Sequence, residues 1–134
     1  MAIVLDTRFL LTYLFPPTSE DRVLLIKFAR TKLKHYALVI PVIVVTEFLK
    51  IAGRKIGIST AESWIKSFIE SGAKVEVVME EDCFEAGRIL CRYQGIPIAD
   101  ALIAAIAKRL RAMIVTDDPH FKKLGLRTLW YKWP

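Results

Sequence analysis

Residues 2–7 of this chain are AIVLDT, four apolar residues followed directly by an aspartate and a threonine. A short run of aliphatic and β-branched residues predicts a buried strand, and Asp6 stands where that strand ends. Residues 7–15 then have the pattern of a short helix, which the two prolines at 16 and 17 stop. An apolar strand that passes directly into a helix is typical of a parallel sheet covered by helices.

The same alternation continues to the end of the chain. Further strands are predicted at residues 37–40, 74–79, 112–116 and 127–130, and further helices at 18–34, 41–53, 59–72, 80–94 and 97–111. Thr18 and the capping-box pattern at residues 59–62 mark two of the helix starts. The sequence therefore predicts one α/β domain over residues 1–134. Its centre is a mostly parallel sheet of four or five strands, with helices on both faces.

Composition and charge narrow the class of protein. Apolar residues make up 54% of the chain and charged residues 25%, which indicates a folded domain rather than a disordered chain. The longest apolar run, residues 36–49, is interrupted by Glu47 and too short to span a bilayer. Since no basic leader precedes Asp6, we expect a cytoplasmic protein with reduced, buried thiols at Cys83 and Cys91. The net charge of +6 favours a polyanionic partner, RNA or DNA.

Four acidic positions accompany this alternation: Asp6, Glu47, Asp100 and the adjacent pair Asp117 and Asp118. Two of them directly follow the first and fourth strands, and the other two lie in helices next to strands two and four. Ligand sites in open parallel sheets gather beyond the carboxyl ends of strands, at a switch in strand order, so we expect the four carboxylates to converge there. A set of carboxylates without His or Cys favours Mg²⁺ or Mn²⁺ over zinc.

Each acid also has a purely structural alternative. Asp6 and Asp118 could cap the helices that follow them, and Asp100 could stabilise a helix N-terminus. Glu47 lies in the middle of a helix, where it caps nothing, and its structural alternative is an ion pair with Lys50. The occurrence of all four acids at one predicted sheet edge favours a shared site.

The segments around these acids resemble the PIN-domain nucleases, and in length and layout the chain resembles the VapC-type toxins of prokaryotic toxin–antitoxin pairs. The resemblance is carried by residues 3–7 (IVLDT), 45–48 (VTEF), 98–105 (IADALIAA) and 114–121 (IVTDDPHF). It implies a PIN-like fold and a Mg²⁺- or Mn²⁺-dependent endoribonuclease that cuts RNA phosphodiesters with metal-activated water held by an acidic quartet. It also implies a homodimer and a cognate antitoxin.

The resemblance assigns roles to individual residues. The catalytic and metal-binding quartet would be Asp6, Glu47, Asp100 and Asp118. The family pattern selects Asp118 over Asp117, which is kept as a further acid beside the metal. Thr116 would orient a carboxylate or contact substrate.

Basic and polar residues near the acids are candidates for substrate binding. Lys50 and Arg54 follow Glu47 on the same helical face and are expected to contact phosphate. Thr7 and Arg8 are expected to contact substrate beside Asp6, although Arg8 stands where small polar residues are common in the family. His120 is interpreted as an exposed loop residue with at most a minor substrate contact.

Other functions remain open from the sequence. The chain could be an RNA-processing PIN nuclease without an antitoxin, or a catalytically silent RNA-binding or scaffold module. A flavodoxin-like receiver is a further alternative, but Glu47 has no role in it. Cleavage of DNA instead of RNA also stays open. The presence of all four acids argues against a silent module, because a cluster of carboxylates is costly to keep without a cation.

Overall fold

The computed structural model describes residues 1–134 and contains one sheet of five parallel strands. The strands are β1 (Ala2–Leu5), β2 (Ala37–Pro41), β3 (Lys74–Glu76), β4 (Met113–Val115) and β5 (Thr128–Leu129). The helices are α1 (Thr7–Leu14), α2 (Ser19–Thr31), α3 (Val42–Ile56), α4 (Ile58–Glu70), α5 (Glu80–Arg92), α6 (Ile98–Leu110) and α7 (Pro119–Lys123), with a 3₁₀ turn at Leu33–His35. The predicted fold class, including the parallel sheet, is confirmed.

The strand order is β3-β2-β1-β4-β5, so β1 lies at the centre of the sheet. Val4 of β1 is level with Val39 of β2 on one side and with Ile114 of β4 on the other. The chain moves outward from β1 to β3 and then crosses back to the opposite side of β1. The order therefore reverses between β1 and β4, which creates a topological switch point at their carboxyl ends.

Helices cover both faces of the sheet. Right-handed crossovers require the helices between β1, β2 and β3 to lie on one face and those between β3 and β4 on the other. In agreement, α3 packs against α1 and α4, whereas α5 packs against α6. Apart from the half-buried Ala2 and Met113, β1 and β4 are buried, and α6, which contacts β1, carries several buried alanines. These small side chains let α6 lie close to the sheet.

Three local predictions were wrong. Helix α4 begins at Ile58 instead of being capped by Ser59, because Gly57 at φ 89° joins α3 to α4 directly. The strand expected at residues 74–79 stops at Glu76, and the chain then turns so that the Met79 N–H donates to Asp82 at the start of α5. The helix expected at residues 18–34 ends at Thr31 and continues only as the 3₁₀ turn.

Cys83 and Cys91 are exposed, so the prediction of buried thiols was also wrong. Helix α5 buries Asp82, Ala86 and Ile89, and the two cysteines lie off that stripe. The environment of the thiols is therefore solvent rather than the core. None of the helices is long and apolar enough to cross a membrane.

Candidate active site

Asp6 is held between the two central strands at the switch point. Its Oδ1 accepts a hydrogen bond from the Thr7 N–H at 2.8 Å, which caps α1, and its Oδ2 accepts one from the Thr116 hydroxyl at 2.7 Å. The two residues meet because β1 and β4 run parallel in register, and the Asp6 N–H donates to Val115 O at 3.3 Å. Asp6 is only 3% exposed. The cap predicted from sequence is present, and it fixes the carboxylate at the sheet edge.

Thr116 connects this carboxylate to the next one. Its hydroxyl accepts a hydrogen bond from the Asp118 N–H at 3.1 Å while donating to Asp6. Asp118 in turn caps α7 by accepting from the His120 N–H at 3.0 Å, with Pro119 in the first turn. The Thr116 hydroxyl therefore orients the Asp6 carboxylate, which is one of the two roles expected for this residue.

Asp100 and Glu47 reach the same place from helices. Asp100 lies in the first turn of α6, and its Oδ2 is 3.4 Å from His120 Nδ1, which is also 3.3 Å from Asp118 Oδ1. Glu47, on α3, accepts a hydrogen bond from the Thr7 hydroxyl at 2.7 Å. It forms no ion pair with Lys50, so the structural alternative proposed for Glu47 was wrong.

These contacts form one continuous series that links all four acids of the quartet, in which the backbone N–H groups of Thr7 and Asp118 supply two of the links. In order, it runs through Glu47, Thr7, Asp6, Thr116, Asp118, His120 and Asp100. The members come from the residues that directly follow β1 and β4 and from the starts or interiors of α1, α3, α6 and α7. The expected convergence of the four carboxylates at the switch point is thus what the fold produces.

The interpretation of His120 as an exposed loop residue was wrong. His120 is the second residue of α7, its side chain is 32% exposed, and its ring lies beside two carboxylates rather than in an open loop. The Asp-Pro-His sequence at residues 118–120 indicates this position of the ring. A capping aspartate with proline at the first helical position brings the following residue's N–H, and with it that residue's side chain, next to the cap.

The quartet carries negative charge that the chain does not neutralise. No lysine or arginine forms an ion pair with any of its four carboxylates, and His120 is their one basic neighbour within 4 Å. Burial raises the pKa of Asp6 to about 7, and the charges of Asp100 and Glu47 add to that rise. Burial also raises the pKa of Asp100, with further contributions from Asp118 and Glu47. A bound cation would relieve this repulsion.

The donor set fits a divalent cation. Ligand atoms of Asp100, Asp118 and His120 all lie within 4.8 Å of one another. Asp6 and Glu47 are joined to this group through Thr116 and Thr7, and both present carboxylate oxygens. Hard oxygen donors in this number are those that small divalent cations take up in proteins.

The remaining candidate residues lie around the quartet. Arg8 Nε is 2.6 Å from Asp117 Oδ1, and the two side chains are 56% and 33% exposed. Asp117 thus faces Arg8 and lies outside the hydrogen-bonded chain of acids. Lys50 and Arg54 are exposed on α3 without an ion-pair partner. Their contact with RNA, like that of Thr7 and Arg8, stays a prediction.

Comparison with known protein families identifies the fold. The model of the PIN domain matches residues 3–126 of the chain. The chain belongs to the PIN domain family. Proteins of this family are typically nucleases. No curated protein matches this PIN domain at the sequence level.

Solved structures have the same fold. The PIN domain superposes on VapC20 of Mycobacterium tuberculosis, described as a sarcin–ricin loop cleaving toxin, with a TM-score of 0.78 at 17% identity, covering 93% of this chain and 96% of that one. VapBC-1 of nontypeable Haemophilus influenzae gives 0.76 at 21% identity, covering 99% and 100%. VapBC2 of Rickettsia felis, bound to a promoter DNA fragment, gives 0.75 at 19% identity, covering 97% and 98%. At these identities the likeness shows the fold, and it agrees with the expected VapC-like layout.

Proposed function

We propose that this PIN domain is a Mg²⁺- or Mn²⁺-dependent endoribonuclease and the toxin of a toxin–antitoxin pair. The observation that carries the proposal is the continuous chain of contacts joining four carboxylates at the switch point without a compensating lysine or arginine. Such a cluster opposes folding of the metal-free chain, and a bound cation accounts for its presence. The likeness to a toxin described as cleaving the sarcin–ricin loop supports RNA as the substrate.

The residues that would hold the cation are those of the quartet, Asp6, Glu47, Asp100 and Asp118, with Asp117 as an additional acid nearby. When bound, such a cation lowers the pKa of water and stabilises negative charge that develops on a phosphate. Carboxylate oxygens suit Mg²⁺ and Mn²⁺. The chain contributes a fixed arrangement of donors before any ligand arrives.

Each residue of the quartet has a distinct task in this proposal. Asp6 is held by two hydrogen bonds and almost fully buried, so its oxygens cannot turn toward bulk water. Asp100 and Asp118 have side chains that are 17% and 20% exposed, so an RNA phosphate approaches the cluster from their side. The hydroxyl of Thr7 fixes Glu47, which limits its rotamers without neutralising its charge.

Basic side chains would bring the RNA to this opening. Lys50 and Arg54 lie on the exposed face of the helix that carries Glu47, and Arg8 follows Thr7 in α1. The net charge of +6 attracts a polyanion over a longer range. Binding through these groups should weaken as salt is added, because each phosphate contact releases counterions.

An antitoxin is the proposed regulatory partner. The similar structures from Haemophilus influenzae and Rickettsia felis are VapBC complexes, which supports a partner of that kind here. A basic side chain of the antitoxin in the acidic site would supply the charge that a cation supplies in the active protein. We also propose a homodimer, as the resemblance to VapC-type toxins implies.

The test is cleavage of end-labelled single-stranded RNA in Mg²⁺, Mn²⁺ or EDTA. The wild-type protein should cut only with metal, and Asp100→Asn and Glu47→Gln should each lose ~100-fold or more of the rate, a few kcal/mol of transition-state stabilisation. Glu70→Gln, an exposed glutamate at the end of α4, is the matched control and should cut normally. Cleavage that survives both EDTA and the variants would come from a contaminating nuclease. Absence of both cleavage and Mn²⁺ binding would favour a scaffold module.

A further inference from the structure

His120 lies at the acidic quartet with a spacing that suits coordination. Its Nδ1 is 3.4 Å from Asp100 Oδ2 and 3.3 Å from Asp118 Oδ1, and the ligand atoms of the three residues lie within 4.8 Å of one another. Two ligands at right angles on a cation with bonds near 2.1 Å are ~3 Å apart. The two separations between the imidazole nitrogen and the carboxylate oxygens are therefore close to that spacing, and the ligand atoms of the three residues all stay within 4.8 Å.

The backbone holds the ring in this position before any metal binds. Asp118 caps α7, Pro119 fixes the first turn, and the His120 N–H donates to Asp118 Oδ1 at 3.0 Å. The next residue, Phe121, is fully buried and anchors α7 in the core. The imidazole is thus prepositioned on the same short helix as one of the carboxylates, which is how metal sites keep their ligands in register.

We propose that His120 is a metal ligand of this PIN domain, completing a mixed oxygen and nitrogen site with Asp100 and Asp118. The inference rests on the proposed metal-dependent function and adds to it a nitrogen donor. Mg²⁺ takes oxygen ligands almost exclusively, whereas a site with imidazole favours first-row transition metals. His120 therefore shifts the preference of the site from Mg²⁺ toward Mn²⁺ and its neighbours in that row.

A second arrangement has to be distinguished from this one. If Nδ1 carries a proton, His120 donates hydrogen bonds to the two carboxylates and acts only as a nearby charge. A ligand instead presents the Nδ1 lone pair to the metal, with the ring proton on Nε2. The two arrangements predict opposite results for direct bonding between manganese and nitrogen.

Electron spin echo envelope modulation of the Mn²⁺-loaded protein measures that bonding. The chain has two histidines, His35 and His120, so any histidine coupling can be assigned with two variants. We expect a nitrogen coupling in the wild type and in His35→Gln, whose side chain is exposed at the end of the 3₁₀ turn, and none in His120→Gln. Growth with ¹⁵N-histidine should move the modulation of the unaltered protein to the ¹⁵N frequencies, which keeps the test independent of how the variant folds.

Calorimetric titration with each metal alone tests the selectivity. His120→Gln should weaken Mn²⁺ binding by about 10-fold or more and Mg²⁺ binding by clearly less. Bound Mn²⁺ without histidine coupling in the wild type would overturn the inference while leaving the proposed metal site intact. An equal loss for both metals would show that His120 only positions the carboxylates, and so would overturn the claim of selectivity. Failure of Mn²⁺ to bind the wild type would overturn both this inference and the proposed function.

Discussion

Two acidic clusters lie at the carboxyl edge of this sheet, and only one of them contains an arginine. The acidic quartet lies at the ends of β1 and β4. The second, here called the Arg109 cluster, consists of Glu76 at the end of β3, Asp82 at the start of α5 and Arg109 of α6. Arg109 Nε and Nη2 lie 2.9 and 3.0 Å from the two oxygens of Asp82, and Nη1 lies 3.0 Å from Glu76 Oε2. The Arg109 cluster contains its own cation, whereas the quartet has none.

The comparison separates the effect of burial from the effect of charge. Asp6 and Asp82 are 3% and 1% exposed, so burial acts on both. Burial raises the pKa of Asp6 to about 7. At Asp82 burial acts in the same direction, but hydrogen bonds from Arg109 and the Met79 N–H outweigh it and hold the pKa below its ordinary value. Burial of an acid therefore does not by itself indicate a metal site; a buried acid that also lacks a basic partner is the better candidate.

Removing Arg109 should leave the acids of the Arg109 cluster without their arginine, which makes this cluster resemble the quartet. Arg109→Met leaves the buried Asp82 without a basic partner within hydrogen-bond distance and leaves Glu76 only the exposed Lys74, whose Nζ lies 3.6 Å from Oε1, and we expect a loss of about 3–5 kcal/mol in the free energy of unfolding at pH 8. The loss should shrink at pH 5, because the two carboxyls can then protonate in the folded state. Urea unfolding at both pH values measures it.

Arg88→Met is the matched control for this change. Arg88 lies on α5 and pairs with Glu85, but its side chain is 62% exposed, so its removal should have little effect on stability. A loss in Arg109→Met no larger than in Arg88→Met, or one that is equal at pH 5 and pH 8, would contradict the role of charge compensation in the Arg109 cluster.

Removing one charge from the quartet should increase the stability of the metal-free protein, which is the opposite effect. Asp6→Asn keeps an oxygen for the Thr7 N–H and removes a buried charge, so the metal-free protein should gain about 2 kcal/mol at pH 8. The gain depends on pH in a defined direction. The folded carboxyl, with a pKa of about 7 against 3.8 for the unfolded chain, binds more protons between pH 4 and pH 7. The wild type therefore loses stability as the pH rises through this window and stays at the lower level above it.

Thermal or urea unfolding in EDTA at pH 5, 7 and 8 provides the measurement. Asp6→Asn should have a flatter profile than the wild type, though not a level one, because Asp100 also has a raised pKa. Added Mn²⁺ should stabilise the wild type at pH 8 and do so less in the variant, since the site has lost a charge. An Asp6→Asn protein that is less stable than the wild type at pH 8 would show that Asp6 is needed for folding as an anion.

The sequence predicted the quartet because its signals are local. An acid that directly follows a buried strand of a parallel sheet must lie at the carboxyl edge, so Asp6 and the pair Asp117 and Asp118 follow from the alternation, whereas the choice of Asp118 rests on the family resemblance. The Arg109 cluster could not be predicted in this way. Arg109 has the pattern of a base near a helix C-terminus, and its partners Asp82 and Glu76 lie 27 and 33 residues earlier in the chain. Such a contact depends on how α5 and α6 pack, which local patterns do not encode.

The same distinction explains the smaller errors. His120 was interpreted as an exposed loop residue beside the acids, although the cap at Asp118 determines its position in α7. The exposure of Cys83 and Cys91 follows from which face of α5 meets α6, and an amphipathic pattern with apolar residues on more than one face leaves that choice open. Local sequence patterns thus predict which residues lie at strand ends and helix caps. Contacts between distant elements depend on how the helices pack and could not be predicted from these patterns.

The smallest effect on stability is expected for the ion pair between Arg8 and Asp117, and this pair also allows a specific test of substrate binding. Arg8 and Asp117 are both substantially exposed, so Arg8→Gln and Asp117→Asn should each change stability by less than about 1 kcal/mol. Their effects on RNA binding should differ. With Arg8 as a phosphate contact, Arg8→Gln lowers the slope of log affinity against log salt by ~0.7, the value for one contact to a single strand. Asp117→Asn leaves Arg8 available and should keep or increase the affinity.

Fluorescence anisotropy with single-stranded RNA in the Glu47→Gln background, where the RNA is not expected to be cut, measures both variants across a salt series. A similar salt dependence of RNA binding in the two variants would mean that Arg8 and Asp117 interact with each other and not with the RNA. Opposite behaviour would mean that Asp117 restrains Arg8 at the edge of the quartet until a phosphate replaces the carboxylate. In that case the chain uses an ion pair in two ways. The buried Arg109 pairs hold the fold, whereas the exposed Arg8 pair is weak enough to exchange its acid for the substrate, because solvent screens it.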